Sequence, residues 1–462
     1  MPDVTKREFL KVSGAVIGGI AAGTTVTAAE RTDRFIVSTK GKADLSDLTV
    51  VHEMPGINYA VVRGDESEVK RSVKSYEADI QIELDSPDVN EEAPTLEDSD
   101  YEGDPGDVLQ WDKADLDVPE AHETTEGEGT RVAVIDSGVL ETHPDLKEPL
   151  NVDLSKNFTD DGGDHNPVAG DDHGTHVAGI VAADNGGGTG VNGTAPKTDL
   201  VDCRVFSAGG GAAFGDILAA VVYSANIDAD VANLSLGAYP VSRQAQGQFY
   251  GKVLNSAMTY ANKEGTLLVI AAGNDSADLQ HDNGTQVDLD NDGEDETLSG
   301  GYWISLPNEG AQALSVASTG PIGYGLSFDL DDVDSPADSP AVYTNYGTNA
   351  VTLAAPGGDY DISLTDPVGG VPAYAYDLVF NTVFSVESDE DGESEQVPGY
   401  GWKAGTSMAA PNVAGAAALV KSSNPDYNAN QVEAALKKAA EVPDDYGKEY
   451  YGAGYLNVVD AL

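Results

Sequence analysis

From about residue 107 onward the apolar positions fall into short runs that alternate between two periods. RVAVID (131–136), DLVDCRV (199–205), VANLSLG (231–237), LLVIAAGN (267–274), ALSVAST (313–319) and AVTLAAP (350–356) are brief and bounded by polar or Gly-containing stretches, the mark of buried strands. HVAGIVAA (176–183), GDILAAVVYSAN (215–226), NSAMTYANKEG (255–265), the stretch 407–422 and NANQVEAALKKAAE (428–441) carry helical spacing between and after them. Strand and helix patterns in alternation predict a mostly parallel sheet with helices on both faces, an α/β fold of three layers. In such sheets functional residues gather at the carboxyl ends of the strands.

The first hundred residues read differently. A basic start, TKREFLK, precedes the apolar, Gly-rich run VSGAVIGGIAAGTTVTAA, so residues 1–29 read as an export signal and not as a stable membrane anchor. Lys6-Arg7 followed by Phe9-Leu10-Lys11 resembles a twin-arginine signal with its first Arg replaced by Lys. Residues 30–85 have the makings of a small α+β unit, with strand patterns in RFIVST, INYAVVRG and ADIQIELD and a short helix in DESEVKRSV. Residues 86–106 are acidic, rich in Pro and Gly, and without period, as an exposed and cuttable linker would be. A small unit, a cuttable linker and a large unit (107–462) is the layout of a precursor. Three acidic stretches, near 277–303, 321–342 and 359–400, break the α/β rhythm and are expected as surface insertions.

Composition changes this picture in two ways. The chain carries 25 basic and 79 acidic residues, a net charge of −54 spread over folded-looking segments as well as linkers. That excludes nucleic acid and anionic membranes as partners, which need basic patches, and suits a medium whose salt screens self-repulsion. The lone cysteine, Cys203, lies among apolar neighbours, so no intrachain disulfide is possible and an inert thiol is expected. With no heptads or long apolar surface runs, a monomer is expected.

The chemistry centres on GTSMAAP (405–411), where Ser407 opens a small-sided apolar helix. A serine hydroxyl needs a base, the base needs an orienting group, and the attacked carbonyl needs an anion site. His173, in DDHGTHVAG, stands where a loop enters a helix; His176, one turn on, faces elsewhere. Asp136 ends the apolar run 132–135, where a carboxylate is costly without partners. Asn274 ends another strand and offers an amide donor. His173 and His176 lack the intervening Glu of a zinc hydrolase helix, and the GxSxG elbow of esterases is absent around Ser407.

VIDSGV (134–139), HGTHVAG (173–179), AAGN (271–274) and GTSMAAP, in that order, resemble the block signatures of the subtilisin-like serine proteases, the subtilases. The resemblance covers about 107–462. It implies a secreted serine endopeptidase acting on protein or peptide substrates, with Ser407 as nucleophile, His173 as general acid/base, Asp136 as its orienter and Asn274 as oxyanion donor. It implies that Ser235, Leu236 and Gly237 form an edge that pairs with extended peptides, with Ala272 and Gly273 beside them. It further implies that 30–85 is an inhibitory pro-domain, removed by self-cleavage in the linker. Family members often bind structural calcium. Asp145 matches a common ligand position, and the loop beginning at Asp184 matches its partner loop in place. Independently of family, Asp288, Asp290 and Asp292 carry the spacing of the first half of a calcium loop, though its twelfth position is Ser299. Against catalysis stands the reading of a silent binding or surface protein that keeps the fold.

Overall fold

The structure, a computed structural model, describes residues 33–41, 43–83, 87, 89–92, 94–96, 106–168, 170–207, 211–242, 247–281, 286–287, 296–297, 303–388 and 394–462. The expected export signal, part of the acidic linker, and Asp288, Asp290 and Asp292 lie outside the described residues.

Seven parallel strands form the central sheet, in the order Leu353–Pro356, Ala313–Thr319, Leu267–Ala271, Val231–Leu234, Arg131–Asp136, Asp199–Arg204, Lys156–Asn157. Residues alternate between sheet faces, and both faces are covered, which is why the strands read as nearly unbroken apolar runs. Val132 and Val134 join the cluster of Val177 and Val181, from the helix His173–Ala182, and of Val413 and Ala417, from the helix Thr406–Ser423. Ala133 and Ile135 join the opposite cluster, with Ile217 and Leu218 of Phe214–Asn226 and Val253 and Leu254 of Gly247–Glu264. The helix Thr406–Ser423 is buried on every side from Thr406 to Val420. That explains its alanines and glycines: a central helix approached by the sheet and by a second helix has no room for long side chains.

The N-terminal unit is an antiparallel sheet ordered Thr49–Glu53, Tyr59–Arg63, Arg34–Ser38, Tyr76–Ala78, with one helix, Glu66–Ser72. Phe35, Val37 and Val62 pack with Val69 of that helix, whereas Ile36 and Val61 belong to the large unit's second cluster. The strand Thr49–Glu53 has no sequence signature because no residue in it is buried. A buried ion cluster joins the units. Arg34 Nε lies 2.8 Å from Asp79 Oδ2, its other end meets Asp216, and His52 Nε2 lies 2.6 Å from Asp216 Oδ1. Burial pushes the Asp79 carboxyl up to about 6.

The stretch 359–400 is not a surface insertion throughout. It contains most of a long antiparallel hairpin, Val379–Ser388 with Ser394–Lys403, whose Val379, Phe380, Val383 and Phe384 are buried beneath the histidine helix. The exposed Glu387 and Glu395 near its outer end, and the partly exposed segment 361–370, fit the expectation of a solvated surface.

Candidate active site

Asp136 is the last residue of its strand, at the carboxyl edge, and is fully buried. Its Oδ1 accepts from the Ser137 N–H at 2.7 Å and lies 2.8 Å from His173 Nδ1. A carboxylate only accepts, so Nδ1 is the donor, and the neutral ring carries its lone pair on Nε2. That Nε2 is buried with no hydrogen-bond partner among the described residues. Gly174 makes the approach possible: a Cβ there would stand 2.6 Å from the Gly138 carbonyl and 3.1 Å from Asp136 Oδ1. Burial opposes charge on the imidazole. The charge and hydrogen bond of Asp136, together with Asp171, outweigh it and hold His173 above its ordinary value, while Lys403 pulls the other way. His176 donates through Nε2 to the Val379 carbonyl at 3.1 Å; burial, Lys403 and His173 keep it neutral, as a structural residue.

Ser407 is the second residue of its helix. Its hydroxyl donates to the Ser235 carbonyl at 3.2 Å, and the Ser235 hydroxyl donates to the Ser407 carbonyl at 2.7 Å. Pro411 explains the second bond. Its missing N–H would have served the carbonyl four residues back, which is that of Ser407. Asn274 is held by its oxygen: Oδ1 accepts from the Thr406 N–H at 2.9 Å and the Thr406 hydroxyl at 3.0 Å. This fixes the amide nitrogen as its donor end, beside the first-turn N–H groups of the serine helix.

A pocket opens beside Ser407, lined by Leu236, Gly237, Tyr239, Gly273, Asn274 and Ser305 among others. Tyr239 and Ser305 come from the paired strands Ala238–Ser242 and Trp303–Leu306; neither has a clear period in the sequence, and the second borders the acidic insertion. Ala272 is placed elsewhere. It is fully buried in a separate cluster with Ala317, Val351 and Tyr451, so its side chain forms no part of this lining.

Two further residues had no signature. Buried Lys113 pairs with Asp112 at 3.1 Å and donates to Asn412 Oδ1 at 2.6 Å, Thr194 Oγ1 at 3.1 Å and the Ile180 carbonyl at 3.2 Å, tying the histidine helix to the serine helix. Lys403 pairs with Asp172 at 2.8 Å, directly before His173. Cys203 is fully buried, and burial pushes its thiol well up.

Asp145 and Asp184, expected at a calcium site, are bonded to groups of the protein itself. Asp145 Oδ2 accepts from the Val191 N–H at 2.9 Å and the Tyr400 hydroxyl at 3.0 Å. The carbonyls of Gly190 and Asn192 accept from the Gly106 N–H at 3.1 Å and the Gln110 amide at 2.8 Å. Asp184 pairs with Lys197. Each of these groups thus has a protein donor. Among the described residues, no three His, Cys, Asp or Glu side chains converge as a metal would require.

The family model described as "Subtilase family" matches residues 127–454. A thermophilic serine proteinase of Bacillus sp. (strain AK1) is 30% identical over 343 residues, 74% of this chain, and the chain spans 64% of that relative's length. Subtilisin BL of Lederbergia lenta is 30% identical over 350 residues, covering 76% of this chain and 97% of the relative. The crystal structure of the epidermin leader peptide processing serine protease of Staphylococcus aureus is similar with a TM-score of 0.67 at 21% identity, over 94% of this chain and 98% of that one; at this identity the likeness concerns the fold alone.

Proposed function

This chain belongs to the subtilase family of serine proteases, and from that premise we propose that it is a secreted endopeptidase, made as a self-processed precursor and adapted to concentrated salt. The observation that carries the catalytic part is the 2.8 Å bond from His173 Nδ1 to Asp136 Oδ1, with His173 on a helix packed against the one whose second residue is Ser407.

In the proposed cycle the Ser407 hydroxyl turns from the Ser235 carbonyl to His173 when an extended peptide enters; such bonds commonly tighten only with substrate present. Ser407 Oγ bonds to the peptide carbonyl carbon as its proton passes to His173 Nε2. The carbonyl oxygen takes the negative charge, facing the Asn274 amide and the N–H groups at the head of the serine helix. The C–N bond then breaks, His173 returns the proton to the leaving amine, and an acyl ester remains on Ser407. Water, deprotonated by His173, attacks that ester; the acyl C–O bond breaks, His173 returns the proton to Ser407 Oγ, and the acid is released. Asp136 keeps its proton partner on Nδ1 throughout.

The precursor part rests on the path of the chain. Gln81–Glu83 pairs antiparallel with Gly211–Ala213, and Ile82 is buried in the same apolar cluster as Leu236. Further on, the Asn90 side chain accepts from the Ala404 N–H at 2.6 Å and donates to the Ala404 carbonyl at 2.8 Å, three residues before Ser407. Thr95–Leu96 then lies beside Tyr400 and Gly401 as an added strand. These contacts tie the chain on either side of residue 86 to the large unit and support a first cut in the linker, residues 86–106. Residues 30–85 are then the inhibitory pro-domain. Export through residues 1–29 and calcium at Asp288, Asp290 and Asp292 belong to this proposal on sequence grounds.

A fluorophosphonate probe in high salt tests it. Labelling that is lost in Ser407→Ala, with Ser407→Ala accumulating as a chain that still carries residues 30–85, is the expected result. A folded chain that takes no label is instead a silent binding protein. A mature-sized Ser407→Ala chain, made with no other protease present, refutes self-cleavage.

A further inference from the structure

The hairpin strand Ser394–Lys403 ends four residues before Ser407. Its last residue, Lys403, places its ammonium 2.8 Å from Asp172 Oδ1, with both side chains mostly buried, 13% and 19% exposed. Asp172 stands at the head of the histidine helix, immediately before His173. Opposite Lys403 in the hairpin is Val379, whose carbonyl receives the His176 ring N–H. The hairpin is therefore fastened to the histidine helix at two points, once from each strand: by Lys403 to Asp172 and by the Val379 carbonyl to His176.

The charges around His173 are lopsided. Asp136 bonds its Nδ1, Asp171 Oδ1 accepts its backbone N–H at 3.3 Å, and Asp172 precedes it. Facing these three carboxylates, the cation among the described residues is Lys403; His176 is held neutral. Resting on the catalytic reading above, we propose that Lys403 is a positioning residue for the reaction, which through Asp172 fixes the head of the histidine helix and supplies the countercharge to the acids around His173.

The consequence for the base follows from sign alone. Carboxylates favour the imidazolium, which cannot take the serine proton; a nearby cation disfavours it. Asp136 and Asp171 raise His173, and Lys403 opposes them. Removing the Lys403 charge takes away the cation that opposes Asp136 and Asp171 and leaves Asp172, the residue before His173, without its ion pair, so both changes push the same way.

The test uses the mature enzyme at one fixed high salt concentration, with a peptide substrate and the pH profile of kcat/KM. In Lys403→Met the acidic limb moves up by about half a unit to one unit, as expected for a like charge lost at close range. Lys403→Arg leaves the limb in place. Asp172→Asn moves it down, and the Lys403→Met, Asp172→Asn pair brings it back toward the parent. A limb that stays still in Lys403→Met, with activity lowered equally at every pH, overturns the proposal and leaves a mechanical tether. Should Lys403→Met fail to fold, Asp172→Asn decides alone, an unmoved limb counting against. Absence of any Ser407-dependent labelling in the parent enzyme would be a failure of the catalytic reading instead.

Discussion

The Ser235 hydroxyl donates to the Ser407 carbonyl at 2.7 Å, the carbonyl that Pro411 leaves without its helical partner. Proline and serine thus form a matched pair, 176 positions apart in the chain. Ser235→Ala strands a buried carbonyl and should cost about 1–3 kcal/mol. Pro411→Ala restores the helical N–H, so the double variant should recover most of that loss. Chemical denaturation in fixed salt, in a Ser407→Ala background, measures the cycle; strictly additive losses would mean that the two residues act separately.

Thr406 holds Asn274 by two bonds to one oxygen, and its hydroxyl also accepts from the Gly273 N–H at 3.0 Å. Thr406→Val should lower kcat by about tenfold with little change in KM, since a misaimed donor is missed only where charge develops. Asn274→Ala should cost about 10²–10³ in kcat, a magnitude established for subtilisin itself and not obtained from this structure. Steady-state kinetics on one peptide substrate decide both, and an unchanged kcat in Thr406→Val would remove it from the site.

Arg34 is the shared cation of Asp79 and Asp216 between the two units. Arg34→Met leaves two carboxylates buried with only His52 to answer them. The expected loss is about 3–5 kcal/mol, together with faster appearance of activity after expression. Denaturation of the Ser407→Ala precursor and a time course of processing check the two effects.

Asp377 supplies the clearest dependence on pH. Burial pushes its carboxyl up to about 7, although the N–H groups of Gly323 and Tyr324 reach it at 3.0 and 2.8 Å. An unfolded aspartate protonates near 4. Folding therefore takes up a proton between these values, and stability falls as pH rises from about 4 to about 7. Asp79, Asp115 and Asp202, each pushed to about 6 by burial, act in the same direction. The Tm of Ser407→Ala at fixed salt should be lower at pH 8 than at pH 6. Asp377→Asn should reduce that difference; an unchanged difference would exclude this carboxyl as its source.

The charge of −54 should make activity and stability fall together as salt is withdrawn. Half-lives at low and near-saturating potassium chloride measure this, and equal half-lives would dispose of the salt adaptation.

The layered sheet and the residues at its carboxyl edge were legible because period and residue type are local properties. An apolar run covered on both faces shows in any window of six residues, and a lone aspartate at its end, such as Asp136, stands out against it. The chain also announced Ser407, His173 and Asn274 through the small residues that clear space around them. Tertiary structure alone decided what no window contains. It bonded Asp145 to Val191 and Tyr400, buried Ala272 in a separate apolar cluster, and set Lys403 against Asp172. It also turned part of an acidic stretch into the hairpin under the histidine helix. The reason is physical: a polar side chain is chemically alike on the surface and in the interior. Which partner satisfies it is settled by the packing that brings distant segments within bonding range.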